Sequence, residues 1–515
     1  MSALSIGRGV PILRHREVLT RGLPVCEHVG FVLPEWRELE GAEAMVEEVV
    51  RCCTGLARIA RILSDRVGSG GGKLSIIMTG RPSPGPEAAM AREAVAGFGR
   101  TLMVEYPELA PQIVDLTAAG SAVPLADILA FGNESELRLS SSGWEAPRMR
   151  RSRASGQIEL RADAAYLVTG ATGRLGTALL QWLIRRGATE ILALTHSRCL
   201  RPSNPVFAEA RAKGVSIRQE AVDLARADSE AALAGILGRT DKPVRGILHL
   251  AGSLSEASAA NCTAEEIAAA MAVKAGGALR LARAAQGLEL DHFVLFSSLA
   301  GRLGAPGLGA HGAASAALAG LAAERVASGA PIALVEWGPW ANASPAVRNT
   351  AHREMGLGIM PPEEGFAALE AAMAAPPGVR QAFAFDPERW LARFPSLSVP
   401  PILDGLTPST GRTSSQSRPI IDWSQPNSAR RATRRQVLEA LGLALGLAGE
   451  DIDEARPFAE LSLNSMMALE LRTRLEDSLG ILIPTTLIWR HPTAARLAEA
   501  LTEIGFQSAL MKEDA

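Results

Sequence analysis

The residues with the plainest chemical use form the run Thr169-Gly170-Ala171-Thr172-Gly173-Arg174-Leu175-Gly176. Glycines at this spacing allow a tight turn, let the backbone approach a pyrophosphate, and let the helix that follows pack on the strand before it. The free N–H groups and positive dipole end of that helix favour an anion. A dinucleotide is the expected ligand. A second reactive position is Ser465, which follows the irregular Phe458-Ala459-Glu460-Leu461-Ser462-Leu463-Asn464 and opens a helical stretch beginning Met466-Met467-Ala468. A serine there caps the helix and exposes its hydroxyl.

The glycine turn needs a strand before it and a helix after it, and the chain supplies Tyr166-Leu167-Val168 and Thr177 to Ile184. Further strand candidates separated by helical stretches are Ile191–Leu194, Val215–Ile217, Gly246–Leu250, Phe293–Phe296, Ile332–Val335 and Phe383–Phe385. This alternation predicts an α/β fold, a doubly wound parallel Rossmann-like sheet. Upstream, helical spacing over Ala42 to Val67 and Glu87 to Met103 alternates with strand-like Leu74–Gly80, Gln112–Leu116 and Glu136–Leu139. The run Ile76-Ile77-Met78-Thr79-Gly80 echoes Tyr166-Leu167-Val168-Thr169-Gly170, but Arg81-Pro82-Ser83-Pro84 replaces the glycine turn. Proline lacks the N–H that a phosphate would use, so this unit reads as a degenerate structural copy. The Pro-, Ser-, Thr- and Gly-rich stretch after Leu406 reads as a linker, and the helical stretches beyond it as a small all-helical bundle.

The expected units are therefore an irregular segment 1–29, a degenerate structural subdomain 30–157, a nucleotide-binding domain 158–405, a linker 406–429, a helical unit 430–505 and a tail 506–515. In 515 residues, 47% are hydrophobic, 21% are charged, and the net charge is −2. That balance points to a globular protein with no basic excess for nucleic acid or an anionic membrane. The longest stretch free of charged residues, Leu303 to Ala323, contains Pro306, His311 and several glycines and reads as a buried loop and helix instead of a membrane span. Five cysteines form no CxxC pair, so neither zinc nor a disulfide framework is indicated. The first residues carry scattered charges and no signal peptide pattern, and a cytoplasmic location is expected.

Six motifs in order resemble the short-chain reductases, and specifically the ketoreductase domains of modular polyketide synthases. They are Thr169–Gly176, Ala221-Val222-Asp223-Leu224, His249-Leu250-Ala251-Gly252, Lys274-Ala275-Gly276-Gly277-Ala278, Phe296-Ser297-Ser298-Leu299-Ala300-Gly301 and Trp337-Gly338-Pro339-Trp340. Gly97-Phe98-Gly99-Arg100 and Glu105-Tyr106-Pro107-Glu108-Leu109 look like that family's structural subdomain. The resemblance implies a carbonyl-holding serine at Ser298 and a catalytic lysine at Lys274. It implies cofactor contacts from Thr169, Gly170, Thr172, Gly173, Arg174, Leu175, Gly176, Ser197, Arg198, Asp223, Leu224, Ala251 and Gly252. Asp223 matches the adenine-contacting residue. Arg198 in His196-Ser197-Arg198 offers a charge for a 2′-phosphate, favouring NADPH over NADH.

The proton donor departs from the family. Where a tyrosine begins a Tyr-Ala-Ala-Ala-Asn-like string, this chain has His311-Gly312-Ala313-Ala314-Ser315, and its two tyrosines, Tyr106 and Tyr166, lie in other elements. His311 is a general acid in principle, but a neighbouring Lys274 ammonium disfavours its imidazolium, and Ser315 at the asparagine position weakens the relay. The family's Leu-x-Asp signature is Leu254-Ser255-Glu256 here. Three readings stand open: a domain that does not reduce, an active NADPH-dependent β-ketoacyl reductase, or a redox-silent cofactor-binding epimerase.

Around Ser465 the chain resembles an acyl carrier protein, which implies attachment of 4′-phosphopantetheine at Ser465, with Asn464 in place of the usual aspartate. The implied partners are a phosphopantetheinyl transferase, acyl thioester substrates, and ketosynthase and acyltransferase domains on other chains, since neither a Cys-His-His condensing signature nor a Gly-His-Ser-x-Gly motif is present. No metal ligand set is expected.

Overall fold

The computed structural model describes residues 28–513 except 35, 37, 66–72, 81–84, 117–133, 153–155, 197–198, 256, 343–356, 390–399, 407–420 and nine positions between 446 and 484. The structural subdomain opens with β1 (His28–Val32), α1 (Gly41–Ser64), β2 (Lys73–Met78), α2 (Pro86–Glu105), β3 (Gln112–Asp115), β4 (Glu136–Ser140) and β5 (Gly143–Glu145). Its strands lie in the order β1-β2-β3-β4-β5, parallel except for the β4–β5 hairpin. The first strand begins at His28, inside the segment expected to be irregular. The degenerate counterpart of the glycine turn, Arg81–Pro84, lies outside the described residues.

The second unit runs β6 (Ala165–Thr169), α3 (Arg174–Arg185), β7 (Glu190–Thr195), α4 (Pro205–Ala212), β8 (Ser216–Ala221), α5 (Ser229–Leu237), β9 (Val244–His249), α6 (Ala264–Met271), α7 (Gly277–Ala284), β10 (His292–Ser298), α8 (Ala300–Leu303), α9 (Gly309–Ala327), β11 (Ile332–Trp337), β12 (Leu357–Gly358), α10 (Pro362–Ala374), β13 (Gly378–Ala382) and β14 (Ala384–Phe385). Seven parallel strands lie in the order β13-β11-β10-β9-β6-β7-β8. The winding direction reverses between β6 and β9, and in such sheets ligands bind in the crevice outside the strand ends at that point. Pleating sends Leu167 into a core shared with α1 and α2, and Tyr166 and Val168 into a second core against α3 and α10. Phe383–Phe385, expected to be a strand of this sheet, is not one. The edge strand is β13, while β14 pairs antiparallel with β12. An edge strand is partly solvated, so its Gly-Val-Arg-Gln-Ala string carries little apolar signal. Phe383 and Phe385 instead cover a small apolar cluster of Met149, Leu299, Leu357 and Leu403.

Among the described residues the C-terminal unit has four helices, α11 (Pro426–Leu445), α12 (Ser465–Leu479), α13 (Thr485–Arg490) and α14 (Ala494–Glu513), around a core that includes Val437, Leu441, Phe458, Leu471, Leu475, Ile483 and Leu497. The first helix starts four residues before the expected boundary at 430, and the last runs through most of the expected tail. Among the described residues no helix is long and apolar enough to cross a membrane, and no cluster of candidate metal ligands occurs.

Candidate functional site

The site is built on the β6–β9 reversal. Gly170 adopts φ +68°, and a Cβ there would stand 3.0 Å from the Ala251 backbone nitrogen. A Cβ on Gly176 would come to 2.2 Å from the Gly170 carbonyl oxygen, so only glycine lets α3 begin this close to the strand end. Gly173 caps α3 without any side-chain hydrogen bond, and Thr172, Gly173 and Arg174 are exposed. The helix therefore presents open N–H groups on a turn that side chains do not fill, which fits a dinucleotide pyrophosphate. Asp223, just past β8, lies 3.5 Å from the His196 ring and accepts the Ala225 N–H at 3.0 Å. Ser197 and Arg198 lie outside the described residues. A cavity of about 380 Å³ beside the turn is lined by Thr172, Cys199, Leu200, Arg201, Ser203 and Asn204.

One hydrogen-bonded chain ties this turn to Lys274. Thr169 Oγ1 accepts N–H groups from Leu250 (3.1 Å) and Ala251 (3.0 Å) and lies 2.9 Å from His249 Nδ1; His249 Nε2 lies 2.9 Å from the Lys274 carbonyl oxygen. A carbonyl only accepts, so Nε2 carries the proton, Nδ1 accepts from the Thr169 hydroxyl, and His249 is neutral. Burial pushes His249 down to about 4, in keeping with that tautomer. The sequence marks His249 only as part of a motif; its bracing role depends on two partners distant in the chain.

Lys274 sits in a π-helical turn, Ala272–Gly276, between α6 and α7; such turns recur at functional sites. Its side chain is buried (6% exposed), has no hydrogen-bond or ion-pair partner among the described residues, and burial lowers its pKa to about 8. The Nζ would be 3.7 Å from a Cβ on Gly252. The next residue, Ser253, offers its carbonyl oxygen to His311 Nδ1 at 3.4 Å. Lys274 and His311 thus meet at one short loop. Burial first, and then the Lys274 ammonium, pull His311 down to about 3.

β10 and α9 meet at Ser297 and Ser315, one residue before Ser298. Ser298 Oγ accepts the Ala300 N–H at 3.2 Å, and neighbouring Ser297 donates its hydroxyl to the Ser315 carbonyl at 2.8 Å. Ser315 Oγ is fully buried without a hydrogen-bond partner among the described residues. Arg100 donates to the Gly301 carbonyl at 2.9 Å, and Arg302 pairs with buried Glu336 at 3.0 Å, which fixes the turn after Ser298. Sequence reasoning missed the role of Glu105. This buried carboxylate at the end of α2 accepts the Ala259 N–H (2.7 Å) and the Gly307 N–H (2.8 Å), clamping the two loops that flank His311.

These features define an α/β domain built on a parallel Rossmann-like sheet, joined to a helical C-terminal unit. Residues 164–342 match the KR domain family and residues 435–501 match the phosphopantetheine attachment site family, so the chain joins a KR domain to a phosphopantetheine-binding domain. It is 33% identical over 349 residues to a phenolphthiocerol/phthiocerol polyketide synthase of Mycobacterium tuberculosis, a match covering 66% of this chain and 16% of that one. With the polyketide synthase GfsA of Streptomyces halstedii it shares 32% identity over 432 residues, 79% of this chain and 6% of that one. The chain thus spans only a fraction of the curated relatives it matches. Among solved structures it resembles the ketoreductase from the first module of phoslactomycin biosynthesis in Streptomyces sp. HK803, with TM-score 0.62 and 25% identity over 75% of this chain and 88% of that one. An A-type ketoreductase of a modular polyketide synthase, 24% identical with TM-score 0.63 over 76% of this chain and 84% of that one, shares the fold.

Proposed function

We propose that this chain works in polyketide assembly, holding acyl intermediates as thioesters on a 4′-phosphopantetheine arm at Ser465. Beside the arm, its ketoreductase-like domain receives β-ketoacyl thioesters without efficiently reducing them. Thr169, Gly170, Thr172, Gly173, Arg174, Leu175, Gly176, Ala251 and Gly252 would hold the pyrophosphate side of NADPH, Asp223 and Leu224 its adenosine side, and Ser197 and Arg198 its 2′-phosphate. NADPH when bound supplies the hydride for a ketone. The protein must then hold the ketone oxygen, a role for Ser298, and give that oxygen a proton.

His311 carries the argument. Held near 3, its imidazole is neutral at physiological pH. With Nδ1–H directed at the Ser253 carbonyl, Nε2 keeps a lone pair and has no proton to offer. Loss of a positioned acid costs about two to four orders of magnitude in rate. The Lys274 ammonium remains as a less suited donor. The test follows absorbance of the reduced nicotinamide with a β-ketoacyl thioester surrogate, for the native chain and for His311→Tyr. Little oxidation by the native chain and a gain of at least about a hundredfold in the variant is expected; rapid oxidation by the native chain overturns the reading. Residual oxidation routed through Lys274 falls as pH rises through about 8 and disappears in Lys274→Met.

The same lone pair supports a second reading. Held near 3, His311 is a weak base, and its Nε2 would take the proton between the ketone and the thioester only transiently, breaking C–H and forming N–H. The resulting enolate oxygen would rest on Ser298, delivery of a proton from water to the opposite face would invert the carbon, and the imidazolium would give its own proton back to water. Deuterium uptake at that carbon from heavy water, lost in His311→Phe, is the expected sign.

A phosphopantetheinyl transferase loads Ser465, and ketosynthase and acyltransferase domains build the acyl group. Cys52, Cys53, Cys199 and Cys262 are free thiols, which suits the reducing cytoplasm. Ser465→Ala abolishes loading, read as loss of the mass increment after incubation with transferase and coenzyme A.

A further inference from the structure

The carrier contributes two arginines to one corner of the structural subdomain. Arg472, on α12 and two turns beyond Ser465, pairs with Glu108, in the short helical turn Pro107–Leu109 that follows α2. The two side chains are 6% and 1% exposed, so this is a buried ion pair and no surface contact. Glu108 also accepts the Ser64 hydroxyl at 2.9 Å, at the end of α1. Arg490, the last residue of α13, pairs with Asp65 at 2.5 Å, and Asp65 is the residue that caps the C-terminus of α1.

The charges explain why a cationic partner fits there. The C-terminus of the 24-residue α1 is the negative end of its dipole, and Asp65 adds a carboxylate where the dipole already disfavours one. Glu108 adds a second negative charge that lies away from solvent. Two carboxylates beside the negative end of a helix dipole match the corner to cations from another surface. On the carrier side, Glu476 lies 3.5 Å from Arg472 Nε and accepts the Ile483 N–H at 2.8 Å, which holds the arginine extended towards Glu108.

We propose that the acidic corner formed by Ser64, Asp65 and Glu108 is a docking site for this chain's own carrier, engaged by Arg472 from α12 and Arg490 from α13. The proposal takes residues 426–513 as the carrier but does not need Ser465 to be loaded. The dock is connected to the reductase-like site through three residues of backbone, because Glu108 follows closely on Glu105, whose carboxylate clamps the loops at Ala259 and Gly307. The carrier therefore rests against the segment that shapes the substrate side of the site.

The experiment uses the full-length, unloaded chain. Small-angle scattering reports its compaction, and limited proteolysis reports cleavage between Leu406 and Pro426. Glu108→Arg or Arg472→Glu alone is expected to expand the particle and to shift the docking equilibrium by on the order of a hundredfold, as expected for breaking a buried pair. The double reversal is expected to restore compaction and the native cleavage pattern. If Glu108→Arg fails to fold, Glu108→Gln and Asp65→Asn keep the test open, with circular dichroism confirming the fold. A native chain whose scattering already requires a detached carrier, or single variants that change neither readout, overturns the proposal. Loading of Ser465, measured by mass in the same samples, reports the carrier assignment separately.

Discussion

Two basic side chains share the Gly252–Ser253 loop, and burial depresses both. For Lys274 the depression runs from 10.5 to about 8. Below pH 8 both the folded and unfolded chain carry the ammonium, so the whole penalty is present at neutral pH; it is relieved as pH rises from 8 to 10.5. It amounts to about 3 kcal/mol. Lys274→Met, which keeps the length and removes the charge, should therefore stabilise the cofactor-free domain and raise its midpoint in thermal unfolding by several degrees, while abolishing chemistry that needs the amine. For His311 the folded value is about 3 against 6.5 unfolded. Its contribution is lost as pH falls through 6.5 towards 3, because only the unfolded chain takes up the proton. Its ring resonances should stay those of a neutral imidazole between pH 8 and 5; a transition near 6.5 would refute the assigned environment.

At the scale of elements, α2 and α9 cross closely enough that side chains are excluded. A Cβ on Gly97 would stand 2.4 Å from the Ala316 Cβ, and one on Gly320 would stand 2.4 Å from the Ala89 carbonyl carbon. Because α9 carries His311 and Ser315, the structural subdomain is the wall against which the site is set. Gly320→Ala, whose clash is with backbone, is expected to cost about 1–3 kcal/mol in urea unfolding, and more than the same change at exposed Gly287, where a positive φ but no close neighbour is present. The glycine turn and the strand–helix alternation were legible in the sequence because they depend on neighbours a few residues apart. Lys274 and His311 were placed together by resemblance, and the structure brings them to one loop. What could not be read were pairings across the chain: Glu105 with Ala259 and Gly307, Thr169 with His249, and Arg472 with Glu108, 364 positions apart. Edge strand β13 was hidden for another reason, since a half-solvated strand lacks the apolar run that marks a buried one.

On the scale of the chain, a carrier-like helical unit is joined to a domain with a reductase scaffold that has His311 where the resemblance implies a tyrosine. Restoring tyrosine at position 311 tests the scaffold, removing the hydroxyl at 465 tests the carrier, and the charge reversals test the contact between them, so the three assignments can fail independently. The two halves of the reductase-like unit are less separable. They share one apolar core that runs from Val29 and Phe31 through Leu167 and Leu192 to Leu334. The chain also returns at its far end to where the halves join: Met149 donates its backbone N–H to the Ile402 carbonyl at 2.7 Å, and a Cβ on Gly405 would meet the Met149 carbonyl oxygen at 2.6 Å. This clasp has a practical meaning for anyone who recombines such assembly lines. A graft cut near residue 157 would tear one core in two and leave α9 without its wall, whereas a cut beyond Leu406 keeps the reductase-like unit closed and moves it as a single exchangeable part.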